Sequence, residues 1–221
     1  MRSRLLAVYT PLVGIWQLAA QDPGTHFTPG AACMELHQKL LDKVAIGQLS
    51  DAEEALSRAL ASNEGGHEPS CLWMTLHNMA HVIGLSGRLA EAEVLEQRSL
   101  RIMDRLFSPD DPLRLRPLHL LWSVQVQQEE RGKARQTFRA MRSLRLDKPE
   151  HQAVFHGAAA AQLQVEGHRK EAEAEYSRAL AAWRDLGRGE STDVAALLVE
   201  LVYCNGAKAG TWRPAGRWSR L

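Results

Sequence analysis

"GQLSDAEEALSRAL" fills Gly47 to Leu60, and "GHRKEAEAEYSRAL" fills Gly167 to Leu180. One chain spells nearly the same phrase twice, and the fold follows from the reason. The same frame recurs at "GRLAEAEVLEQRSL", Gly87 to Leu100. A worn copy lies at "EERGKARQTFRAM", where Glu129 stands in place of the leading Gly and Ala134, Phe138 and Met141 keep the spacing. The starts at 47, 87, 129 and 167 are 40, 42 and 38 residues apart, which defines an internal repeat.

Each unit reads as two helices. Ahead of the Gly runs an apolar-periodic stretch such as "CLWMTLHNMAHVIGLSG", with Leu72, Leu76, Met79 and Ile83 at helical spacing. The Gly ends that helix because it accepts the left-handed conformation of a helix C-terminus. Ala52, Ala92, Ala134 and Ala172 then recur on one face of the second helix, where a small side chain permits close approach. "NEGGHEPS" and "FSPDDPLRLRP" separate units through Gly and Pro. A lone helix pair cannot bury its apolar face, so the pairs must stack. The expectation is an all-α fold, a right-handed superhelical array of antiparallel helix pairs.

The chain has 221 residues, 45% apolar and 24% charged, with a formal net charge of +1. A packed core is affordable and no dense basic surface for nucleic acid is implied. Arg2 and Arg4 precede the apolar "LLAVYTPLVGIW" and small residues at Ala19 and Ala20, the layout of a secretory signal. An uncleaved anchor and a buried first helix are the alternatives. No later segment reaches membrane-spanning length. The expected division is a signal over 1–20, a linker over 21–31, repeats over 32–205 and a disordered basic tail over 206–221. The repeat units fall at about 33–66, 73–108, 115–148 and 153–187, with a partial fifth helix at 191–205. Export to the periplasm or exterior follows if the signal is cleaved, and a cytoplasmic place otherwise. With no CxxC pair among Cys33, Cys71 and Cys204, a zinc or thioredoxin-like motif is disfavoured. By the repeat register Cys33 and Cys71 are the favoured disulfide pair in an exported chain; three buried thiols are the alternative.

The pattern resembles the tetratricopeptide repeat over roughly residues 32 to 205, in the longer form found in kinesin light chains. "LHNMA" (Leu76 to Ala80), "GRLAEAE" (Gly87 to Glu93) and "SPDDP" (Ser108 to Pro112) carry the likeness. Leu40 and Trp122 stand where that family prefers a small residue, and Glu96 where it prefers an aromatic, so less regular packing is expected around unit three. The resemblance implies a concave groove lined by first helices, with a partner's backbone bound at a position often held by Asn.

That register places His37, His77 and His119 in three successive units and Gly157 in the fourth. Leu41, His81, Ser123 and Ala161 follow one turn later on the same face. Three readings stand side by side. The histidines could offer hydrogen bonds to a partner's backbone and carboxylates, tuned by protonation. His77 and His81 could bind a transition metal, although Asn78 replaces the Glu of the HExxH zinc motif. Or the row is half-exposed groove without a dedicated role.

No phosphate-cradling loop, dinucleotide fingerprint or nucleophile elbow is present, so a non-enzymatic role without catalytic residues, metal or cofactor is expected. The expected function is recognition of a peptide or helix of another protein. The groove contacts named for it are Met34, His37, Met74, His77, His81, Arg116, His119 and Gln127. An exported ligand- or metal-binding array and a regulatory subunit of a larger complex are the alternatives. Residues 194–203 are apolar nearly all round and offer a surface for self-association.

Overall fold

A computed structural model describes residues 30–64 and 69–189, together with Val194, Leu197, Leu198 and Leu201. The expected signal, residues 21–29 of the expected linker and the basic tail lie outside the described residues, while Ala31, expected to end the linker, opens the first helix. Among those described, the chain is all-helical, with eight α-helices and no strand. They are α1 (Ala31–Ala45), α2 (Leu49–Glu64), α3 (Pro69–Leu85), α4 (Leu89–Leu106), α5 (Leu115–Gln127), α6 (Arg131–Arg142), α7 (Pro149–Glu166) and α8 (Arg169–Asp185), with a short 3-10 turn at Pro112–Arg114 before α5.

The repeated phrase is a repeated turn. At the end of α1, Gly47 N–H donates to the Val44 carbonyl and Gln48 N–H to that of Lys43, at 3.0 and 2.9 Å. The same two bonds close α3 at Gly87 and Arg88, α5 at Glu129 and Glu130, and α7 at Gly167 and His168. This crossed pair of bonds needs a left-handed residue at its apex. Gly47, Gly87 and Gly167 have φ of 79°, 82° and 87°. Glu129, the one departure from glycine, still adopts φ 61°. The surrounding packing therefore imposes the turn even where the local residue resists it.

The second helix of each pair starts from these turns and packs back on the first. Ala52, Ala92, Ala134 and Ala172 are all buried, three of them completely. A larger side chain at these positions would overpack the hairpin, at roughly 1–3 kcal/mol. Successive pairs are joined in two ways. Each second helix of units one and two packs on the next first helix, and the first helices α1, α3, α5 and α7 touch in sequence. One apolar cluster gathers Leu40, Val44, Leu56, Ile83 and Val124 from α1, α2, α3 and α5. A second runs from Trp73 and Met103 through Trp122 and Met141 to Trp183. Backbone approach between α6 and α7 is looser than between α2 and α3 or between α4 and α5. There Phe138 and Phe155 fill the space by stacking, with centroids 5.9 Å apart.

Polar ties repeat along with the hairpins. Glu53 on α2 pairs with Arg88 of the next turn at 2.5 Å. Glu93, in the same register on α4, accepts from Gln128 at 2.9 Å and from Lys133 at 3.3 Å, both beside the following turn. Cys33 on α1 and Cys71 on α3 form a disulfide, their Cα atoms 6.0 Å apart. Of the expected fifth helix, Val194 belongs to the same apolar cluster as Trp183, Leu197 and Leu201 pack against the cluster of Ala160, Ala172 and Tyr176, and Leu198 is exposed.

Candidate functional site

The three histidines in register occupy three different environments. His37 is buried, with Nδ1 2.7 Å from the Cys33 carbonyl and Nε2 3.4 Å from Thr75 Oγ1. Burial holds its pKa below the usual imidazole value, against the opposing pull of the carbonyl.

His77 is buried on α3 and directs Nδ1 at both oxygens of Glu96 on α4, at 2.9 and 3.1 Å. Glu96 has no exposed surface. Its burial pushes the carboxyl upward in pKa, while the imidazole draws it back. Leu56, Phe138 and Tyr176 hold the position equivalent to Glu96 in the other units. Unit two thus carries an acid, met by a histidine of the repeat register, where the other units carry Leu, Phe or Tyr.

His119 lies on α5, stacked on Trp122 with centroids 5.7 Å apart. Trp122 is itself held by an Nε1–H bond to Gln162 Oε1 at 2.6 Å, which ties α5 to α7. His119 and His81 are partly exposed, as is Arg116 one turn before His119. Burial lowers the pKa of His81 to about 3, helped by the positive fields of His77, Arg116 and His119. Burial and then Arg116 lower that of His119 to about 4. At neutral pH both rings are uncharged beside the permanently charged guanidinium. The result is a polar patch from two successive first helices, with one cation and two neutral imidazoles.

The remaining named residues divide plainly. Met74 is fully buried in the core. Gln127 is partly exposed, about 12 Å along α5 from His119 by helical rise, and its Nε2 has no hydrogen-bond partner among the described residues. The side chain of Met34 lies outside the described residues. His81, Arg116 and His119 are therefore brought together, while His37, Met74 and His77 turn inward.

Two features were not visible from periodicity. Glu93 is a hub: besides Gln128 and Lys133 it accepts from Gln125 Nε2 at 3.3 Å, and Gln125 Oε1 accepts from Thr137 at 2.7 Å. Burial raises its pKa, but the hydrogen bonds from Gln128, Gln125 and Lys133 outweigh that and hold the carboxyl low. Glu53 in the same register was the available signal. The second feature is His156 on α7, whose Nδ1 lies 2.6 Å from Glu175 on α8. It repeats the 19-residue spacing of His77 and Glu96, displaced by one position from the histidine register, and a search for paired His and Glu would have found it.

No protein-family model and no curated protein matches the chain. Among the described residues, no helix is long and apolar enough to cross a membrane.

Proposed function

We propose that this chain is a tetratricopeptide-type interaction module, its helix pairs stacked as a superhelix whose first helices form a groove for another protein. The supporting observation is the convergence of His81, Arg116 and His119 at a partly exposed face of two adjacent first helices. Arg116 supplies a fixed charge for a carboxylate, and neutral imidazoles both donate to and accept from a peptide backbone. The bound element is an extended or helical segment carrying an acidic group at that point. His37 and His77 contribute by setting the helices, His77 through Glu96 and His37 within the Cys33–Cys71 corner. The role is binding rather than catalysis. The disulfide supports export to an oxidising compartment.

Selection from a displayed peptide library tests the reading. The full chain is expected to enrich acidic peptides, and Arg116→Ala, with helicity unchanged, to lose them. Equal enrichment by both proteins would overturn it.

A further inference from the structure

Where α1 meets α3, a disulfide shares its surroundings with a histidine it does not need. Among the described residues, Cys33, His37 and Cys71 form one group of potential ligands whose donor atoms all lie within 4.8 Å, and all three are buried. Cys33 and His37 are one helical turn apart, so one face of α1 presents both, and Cys71 arrives from α3. His37 Nδ1 is 3.4 Å from Cys33 Sγ. A tetrahedral zinc site with ordinary Zn–S and Zn–N bonds has ligand–ligand edges of roughly 3.5–3.8 Å. The His37–Cys33 edge is close to that value, and once the disulfide is reduced the two sulfurs have to part by roughly 1.5 Å to reach it.

The surroundings are those of ligands held in place. Asn63 Nδ2 lies 3.4 Å from Cys71 Sγ, an N–H contact of the kind that supports a thiolate. Thr75, within 3.4 Å of His37 Nε2, donates to the Cys71 carbonyl at 2.8 Å and accepts from Asn63 at 3.1 Å. In the oxidised state Nδ1–H donates to the Cys33 carbonyl at 2.7 Å; to bind a cation, Nδ1, 3.4 Å from Cys33 Sγ, must give up that bond, its proton passing to Nε2 beside Thr75. Two sulfurs and an imidazole select a soft or borderline cation over magnesium or calcium.

We propose that the reduced chain binds a zinc-class cation through Cys33, Cys71 and His37, and that the Cys33–Cys71 disulfide is the oxidised, metal-free state of that same site. Opening is thiol–disulfide exchange. A dithiol reductant gives up two electrons and two protons, its own sulfurs join, and the Cys33–Cys71 bond becomes two thiols. The cation then displaces one proton from each sulfur, and a water or outside ligand completes four-fold coordination. Either state links α1 to α3, so the first two units stay joined whichever occupies the corner.

The test uses the full chain carrying Cys204→Ser, reduced with a dithiol, freed of it under inert gas and titrated with Co²⁺. One equivalent should bind, with sulfur-to-cobalt absorption in the near ultraviolet and intense tetrahedral bands in the visible, both removed by Zn²⁺. The oxidised chain should show neither. Cys71→Ser should abolish the sulfur bands. His37→Gln should keep helicity by circular dichroism and weaken binding at least by the roughly 10-fold that loss of even a hydrogen-bonded neighbour of a ligand costs. No bands in the reduced chain, the same bands in the oxidised chain, or affinity unaffected by His37→Gln would each overturn the proposal.

Discussion

Units two and four carry the same pair of side chains in opposite settings. His77 and Glu96 meet at 2.9 Å with side-chain exposures of 10% and 0%. His156 and Glu175 meet at 2.6 Å with exposures of 30% and 18%, and Arg178 shares the Glu175 carboxylate. The second pair has water and a further cation to draw on. In the first, Glu96 depends on His77 alone among the described hydrogen-bond donors. The contrast shows that spacing sets which groups meet, while the depth of the second helix sets what the meeting is worth.

The largest expected effect breaks the sealed pair from one side. His77→Ala strands the Glu96 carboxylate in the core and should cost about 3–5 kcal/mol in urea unfolding, whereas His156→Ala should cost about 0–1 kcal/mol. Equal losses would erase the distinction between the two units.

Acid should act first on the unit two and three face. The folded pKa values of His81 and His119, about 3 and about 4, lie below the ordinary imidazole value. The unfolded chain therefore binds the extra protons, and stability present above pH ~6.5 is lost as pH falls toward 4 and then 3. Both rings retain some exposure, so the combined loss is smaller than the two full shifts imply, on the order of a few kcal/mol. Thermal melts across this range should show a shallower slope in His81→Gln with His119→Gln. An unchanged slope would place the acid sensitivity elsewhere.

Removing both partners of the sealed pair asks whether it serves stability at all. Leu56, Phe138 and Tyr176 show that the repeat accepts an apolar residue at the position of Glu96. His77→Leu with Glu96→Phe should be neutral or more stable by up to about 2 kcal/mol, because no polar pair then needs desolvation. A loss approaching that of His77→Ala would mean that the pair defines the packing of α3 on α4.

The helices, their boundaries and the recurring small face were legible because they depend on local rules. Ala52, Ala92, Ala134 and Ala172 recur and are buried. Gly47, Gly87 and Gly167 mark turns that their left-handed φ explains. The depth of the histidine row was not legible. A helical period says which side chains share a face, but it cannot say that Glu96 rises from the neighbouring helix to meet His77, or that Met74 turns into the core. Glu129 sits between these cases: its register was readable, and its unfavourable left-handed backbone was not. Glu129→Gly should relieve that strain and add about 1 kcal/mol, read as an increase in the urea midpoint. A decrease would show that the side chain itself stabilises the turn.

Salt gives the finest separation of the two pairs. Charges open to solvent are screened once the Debye length shrinks, and at 1 M salt it is only about 3 Å. Glu175, with Arg178 beside it and both reaching water, belongs in that regime. The cost of His156→Ala should therefore fall from a fraction of a kcal/mol toward zero between low and ~1 M sodium chloride. Glu96 is closed off from the ions, so the cost of His77→Ala should stay nearly constant over the same range. If both costs fell together, counterions would be reaching Glu96, and the unit two pair would have to open far more often than its packing allows.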